Sequence, residues 1–218
     1  MPSRWVRFSL AAGLVLSTGW SVAGGTGVDV RVARDGLFFF AAPALVALAW
    51  GKEFRDLGWT INRRAVRNTL VLSAFVLPFY LVGSSLPSIR SYYPMWETAP
   101  TLASFLPHAA KQLAIVLAAE TFYRGLLCVG VREIGFKSVF ISPVLYAIHH
   151  TAKPPIELLL SGPTDVLFGA VDYDCRSILP SVVAHGFGIT LLDWLVLHDP
   201  MLPPEQLVRW LRWLPVVS

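Results

Sequence analysis

Seven apolar stretches dominate this chain and leave little room for a water-soluble fold. They run over Phe8–Ala23, Gly36–Gly51, Asn68–Ile89, Gln112–Val131, Ser138–His150, Leu158–Val171 and Ser177–Leu197. Only 15% of the 218 residues are charged, against about 25% in an ordinary soluble domain, and the mean hydropathy is +0.57. Such a chain takes lipid as its solvent. In lipid every backbone polar group must be satisfied internally, so the expected fold class is all-α, a polytopic integral membrane helix bundle of about seven spanning or partly spanning helices. Several stretches fall short of the roughly 20 residues a lone spanning helix needs. Short spans and the prolines Pro43, Pro78, Pro143 and Pro163 are tolerable where neighbouring helices cover them. A packed bundle is therefore expected, not a set of independent anchors. The reading divides the chain into N-terminal transmembrane helices (1–100), a core (101–200) and an amphipathic tail (201–218).

The net charge of +4 does not indicate nucleic acid, because Lys and Arg cluster between the apolar stretches. With the N-terminus inside, the inner loops hold Arg4, Arg7, Lys52, Arg55, Arg63, Arg64, Arg67, Arg132, Lys137 and Arg176. The outer loops hold only Arg31, Arg34, Arg90, Lys111 and Lys153. That asymmetry predicts a cytoplasmic N-terminus in a bacterial-type inner or plasma membrane. The first stretch, with Arg4 and Arg7 before it and "SVAGG" after it, also fits a signal peptide cut after Ala23; an uncleaved first helix is the expectation. Cys128 and Cys175 fit no zinc or redox spacing. The tail "PEQLVRWLRWL" sets Leu207, Trp210, Leu211 and Trp213 on one side of a helix, as for a segment lying along the interface.

Ionisable residues inside apolar stretches are functional candidates by default. Glu120 with Arg124, His149–His150, His185, and the pair Asp165 and Asp193 stand out. At about 1.5 Å per helical residue, Glu120 lies roughly 18 Å from Arg132, His150 roughly 20 Å from Lys137, and His185 roughly 14 Å from Arg176. Three helices thus deliver a carboxylate and two imidazoles to a similar depth. Plainer readings stand beside each. Glu120 and Arg124 are spaced i, i+4 and can simply neutralise one another. A lone His in an apolar helix commonly packs and hydrogen-bonds. His149 and His150 face different ways, so one looks inward. Asp165 and Asp193 read as hydrogen-bonding glue between helices, and Lys153 and Glu157 as solvated residues at the outer mouth.

Three motifs in order carry a resemblance. "AETFYRG" resembles E-E-x-x-x-R-G, "YAIHH" resembles F-x-x-x-H with Tyr146 and His150 in its two places, and "FGAVDYDCRSILPSVVAHGFGI" resembles a third region with Gly169, Ser177, Pro180 and His185 in register. Together they resemble the CPBP family of CAAX-prenyl-protease and Abi-type intramembrane proteases, over about residues 105–198. The resemblance implies a glutamic intramembrane endopeptidase that hydrolyses a peptide bond near the membrane. It implies His150 as the water-activating imidazole, His185 as an oxyanion donor, and Arg124 as the residue that holds Glu120, with Tyr146 and His149 in support. The expected partners are a peptide or membrane-tethered protein substrate and the lipid bilayer. No cofactor is expected; zinc held by Glu120, His150 and His185 is the minor alternative, without an H-E-x-x-H sequence to favour it. A transporter is disfavoured by the lack of an inverted repeat.

Two positions depart from the family pattern. Ala119 stands where the first Glu belongs, and Ile189 where an Asn ends the third motif. Alanine accepts no proton and isoleucine donates to no oxyanion. They favour the alternative function, a family member without catalysis that binds membrane peptides or proteins.

Overall fold

A computed structural model describes residues 2–149, 151, 153–214 and 216. The fold is all-helical: 76% of the described residues are helical, and no strand occurs among them. Among the described residues ten α-helices follow in chain order: α1 (Arg4–Val22), α2 (Val28–Asp35), α3 (Ala42–Ala49), α4 (Arg63–Gly83), α5 (Pro87–Arg90), α6 (Leu102–Glu120), α7 (Ser142–His149), α8 (Pro155–Cys175), α9 (Leu179–Val196) and α10 (Pro204–Leu211). π-Helical turns at Gly36–Ala41 join α2 to α3, and others at Thr121–Val129 continue α6. Val28–Ala49, Arg63–Gly83, Leu102–Val129 and Leu179–Val196 are long and apolar enough to cross a membrane.

Local chemistry sets the helix ends. Ser3, Asn62 and Thr101 cap α1, α4 and α6 by accepting from the backbone N–H of Val6, Ala65 and Ser104. α8 ends where Arg176 turns left-handed at φ 57°. The short link to α9 is then strapped by the loop before α4. Thr60 Oγ1 donates to the Arg176 carbonyl, Ser177 Oγ donates to the Thr60 carbonyl, and Ile178 N donates to the Gly58 carbonyl at 2.9 Å. Gly58 itself has φ 80°, and a Cβ there would press on Ile178, so the strap requires glycine.

The expected segments appear with shifted limits. The fourth stretch does not start at Gln112; its helix begins ten residues earlier at Leu102. The third does not run on to Ile89, because α4 stops at Gly83 and α5 forms a separate turn. The fifth is split: a 3₁₀ stretch covers Arg132–Phe140, with Gly135 in a non-helical conformation, and α7 starts only at Ser142. Apolar runs mark where lipid is tolerated, and capping residues decide where the helix starts.

α6 and its π-helical continuation form the centre. Its core partners include Trp5 and Val6 of α1, Phe39 from the π turn, and Leu57. α1 is bonded into this core: Trp5 Nε1 donates to the Gly130 carbonyl at 2.7 Å, and Ser3 N donates to Glu133 Oε1 at 2.6 Å. α9 packs on α4 and α6, and α8 on α7 and the Thr121–Val129 stretch. The closeness of α4 and α9 depends on Gly188, where a Cβ would overlap the Tyr80 ring. Leu207 of α10 is buried against Leu86, Ile89 and Val196. Leu211 packs against the same cluster, and Trp210 is 62% exposed.

Candidate active site

The Thr121–Val129 stretch is buried at every residue. π turns often occur at functional sites. Here one begins directly after Glu120, and Glu120 and Arg124 both turn toward α8 and α9. Arg124 Nε lies 3.2 Å from Glu120 Oε2, and Arg124 Nη1 lies 2.6 Å from Asp165 Oδ1 on α8. The guanidinium also rests over the Tyr146 and Phe168 rings, 5.3 and 5.8 Å from their centroids. One buried cation thus faces two buried carboxylates. Asp165 is completed by Ser142, whose hydroxyl donates to Oδ2 at 2.7 Å.

The second oxygen of Glu120 faces His185. Glu120 Oε1 lies 2.6 Å from His185 Nδ1, across from α6 to α9. Glu120 is fully buried, whereas the His185 side chain is 22% exposed. A carboxylate on Nδ1 fixes the ring's orientation and leaves Nε2 available for chemistry. The Phe168 ring meets the imidazole edge-on at 6.4 Å.

Of the residues expected at the site, Glu120, Arg124 and His185 are brought together, and Tyr146 lies under the guanidinium. His150 falls outside the described residues. His149 points elsewhere, toward α1: Nε2 is 3.0 Å from Ser17 Oγ, Nδ1 bonds the Tyr123 hydroxyl, and the ring packs on Trp20. Asp165 joins helices as expected, accepting from Ser142 on α7, and it is also an ion-pair partner of the central arginine. Ala119 packs against the core shared with α1, and Ile189 against the cluster of Leu86 and Leu192. Neither position faces its neighbours with a polar group.

Lys153 and Glu157 correct a further expectation. They are not solvated. Lys153 Nζ is 2.9 Å from Glu157 Oε1 with side chains 15% and 26% exposed, and both bond the buried Tyr93 hydroxyl. Desolvation lowers the Lys153 pKa, with Glu157 opposing the shift. The Lys153 ammonium also lies over the Tyr92 and Tyr93 rings, 5.2 and 4.8 Å from their centroids.

A second buried cluster forms around Asp193, which joins α9 to α6 as expected through partners that were not foreseen. Asp193 Oδ2 is 2.7 Å from His108 Nε2 and accepts from Gln112 Nε2 at 2.8 Å. His108 and Gln112 are spaced i, i+4 on α6, a signal that was in the sequence. The stretch expected from Gln112 leaves His108 outside it, whereas the helix takes in both. Asp172, which accepts from the Ser181 N–H at 3.3 Å and holds the first turn of α9, was missed as well.

Among the described residues no three His, Cys, Asp or Glu side chains gather as a metal site. Glu120 and His185 are two adjacent donors; the third of the expected set is His150.

Comparison with known families now bears on this arrangement. Residues 101–189, from the cap of α6 to the middle of α9, match the family model described as type II CAAX prenyl endopeptidase Rce1-like. The core is Rce1-like. The matched segment contains Glu120, Arg124, Tyr146, Asp165 and His185, so the buried ion-paired layer lies within the Rce1-like region. That family is one of membrane endopeptidases, in keeping with the four helices able to cross a membrane. No curated protein and no solved structure matches the chain. α1 to α5 and α10 lie outside the Rce1-like match, yet α1 supplies core contacts to its central helix.

Proposed function

We propose that this membrane protein is an endopeptidase of the CAAX-prenyl type that hydrolyses a peptide bond near the membrane, with Glu120, His150 and His185 as its catalytic groups. The reading is carried by the Glu120–His185 contact at 2.6 Å inside the Rce1-like core. In the reaction, a water loses a proton to an imidazole as its oxygen attacks the scissile carbonyl carbon. The tetrahedral oxyanion is stabilised by a donor, His185 in the family's pattern. The C–N bond then breaks, and the stored proton passes to the departing amine. Glu120 orients His185 and stabilises its charged form, while Arg124 offsets the charge of Glu120. A general acid–base group of this kind contributes about 10²–10⁴ in rate. The substrate is a peptide or a membrane-tethered protein, and the N-terminus is cytoplasmic, in a bacterial-type inner membrane. No nucleic acid or cofactor takes part; zinc on Glu120, His150 and His185 is the lesser reading.

One observation favours a second reading. Both carboxylate oxygens of Glu120 are engaged and the residue has no exposed surface, while Ala119 and Ile189 remove a base and a donor. A non-catalytic protein that binds membrane peptides or proteins would keep the same scaffold. The test is hydrolysis of quenched, membrane-tethered and prenylated peptides by purified protein in liposomes, with products identified by mass. Cleavage that disappears in Glu120→Gln and His150→Ala supports the peptidase. If neither wild type nor Ala119→Glu/Ile189→Asn cleaves any peptide, yet wild type retains them on the liposomes, the binding reading replaces it.

A further inference from the structure

The outward face of α8 has a different character from its inward one. Asp165, Phe168, Gly169 and Asp172 turn into the bundle and are buried. Leu167, Ala170 and Asp174 turn outward and, with Val71 and Phe75 of α4, line a furrow of about 370 Å³. The furrow is apolar along its length and polar at one end, where Asn68 Nδ2 donates to Asp174 Oδ2 at 3.1 Å. Just beyond that end, Arg63, Arg64 and Arg67 line a further recess of about 510 Å³. Arg64 is committed to Asp174. Arg63 and Arg67 are exposed, and neither has a carboxylate partner among the described residues.

These two features lie on one helix face. Arg64, Asn68, Val71 and Phe75 follow at helical spacing and Arg67 stands one turn before Val71, so the arginines of the recess stand at the polar end of the furrow. From Arg64 to Phe75 the helix rises about 16 Å. That is close to half of a hydrocarbon core about 30 Å thick, the depth of one leaflet. The order is cationic head region, hydrogen-bonding neck, apolar track, at the length of one acyl chain.

We propose that this α4–α8 furrow is a binding site for one anionic diacyl phospholipid, with its phosphate held by Arg63 and Arg67 and an acyl chain laid along Val71, Phe75 and Leu167. Guanidinium groups suit the phosphate because their N–H donors match its oxygens in pairs. A zwitterionic lipid fills the furrow equally but gives the arginines a headgroup without net charge, so the site discriminates by the head. The site lies on the far side of α8 from Asp165 and is independent of any catalytic role.

The experiment uses the whole purified protein in mild detergent. Thermal unfolding and native mass spectrometry are followed as dioleoyl phosphatidylglycerol or dioleoyl phosphatidylcholine is added. Phosphatidylglycerol is expected to raise the melting temperature more than phosphatidylcholine and to remain bound at one copy. Arg63→Gln/Arg67→Gln removes two exposed charges that have no carboxylate partner among the described residues, and should abolish the difference while melting like wild type without lipid. Ala170→Trp, which fills the furrow, should lower retention of phosphatidylglycerol. Arg7→Gln/Arg209→Gln removes the same charge elsewhere and should keep the preference. Equal stabilisation by both lipids, or an equal loss of preference in the Arg7/Arg209 variant, overturns the proposal.

Discussion

α6 and α9 meet at two levels, and each level joins a carboxylate to an imidazole with the roles exchanged. Near one end, His108 of α6 meets Asp193 of α9; deeper in, Glu120 of α6 meets His185 of α9. The contact distances are nearly the same, 2.7 and 2.6 Å. The surroundings are not. His108 has a side chain 4% exposed and shares Asp193 with the neutral Gln112. His185 is 22% exposed, and its Glu120 faces an arginine that a second carboxylate, Asp165, also holds. A carboxylate–imidazole pair therefore does not by itself mark a reactive site. What separates the two levels is access to the imidazole and the presence of a buried cation.

The largest effect should come from that cation. Arg124→Ala leaves Glu120 and Asp165 buried together without compensation, at a cost of about 3–5 kcal/mol. Thermal unfolding in detergent should show it, with Glu120→Gln costing less. A melting temperature equal to wild type in both would remove the distinction between the levels.

Catalysis sharpens the same comparison. On the proposed peptidase reading, His185→Ala should lower peptide hydrolysis by about 10²–10³, the usual loss for one oxyanion donor. His108→Ala should leave the rate per folded molecule unchanged. A similar fall in both rates, measured on liposome-reconstituted protein, would mean that the upper level also serves the reaction.

A smaller effect is expected for Asp193→Leu, which leaves His108 and Gln112 without their shared acceptor. The cost is about 1–3 kcal/mol of stability, read from the shift of the unfolding midpoint.

The smallest concerns Glu133, away from both levels. Hydrogen bonds from Ser3 hold its carboxyl below the ordinary Glu range. Its stabilising contribution is thus present above that range and lost as pH falls through the lowered value. Proteolysis of the N-terminal segment should rise with acidity in wild type, and Glu133→Gln should flatten that dependence.

Much of the deeper level was legible before the structure. Glu120 and Arg124 stand at helical spacing within an apolar run, and counting from the nearest basic residue brought His185 to the depth of Glu120. That works because rise per residue is constant and basic residues mark the membrane boundary. Asp165 joins helices as expected, but nothing in a linear sequence says which of several buried acids an arginine will choose. His108 lies before the boundary expected at Gln112, whereas Thr101 caps a helix that carries through Pro107 and Lys111. Lys153 and Glu157 were read as solvated because the burying surface, Tyr92 and Tyr93, lies about 60 residues away in the chain.

By itself the sequence determined the solvent, the helical class, the ordered motifs of the Rce1-like core and the residues able to carry charge into it. Those follow from hydropathy and from spacing along one helix, which are local properties. Only the tertiary structure decided that Glu120 turns to His185, that Arg124 bridges two helices, and that His149 serves α1. Each of these depends on how one helix is rotated against another. That rotation is set by π turns, by close approaches such as Gly188 on Tyr80, and by the strap at Gly58, where distant parts of the chain meet and share the cost of burying their polar groups.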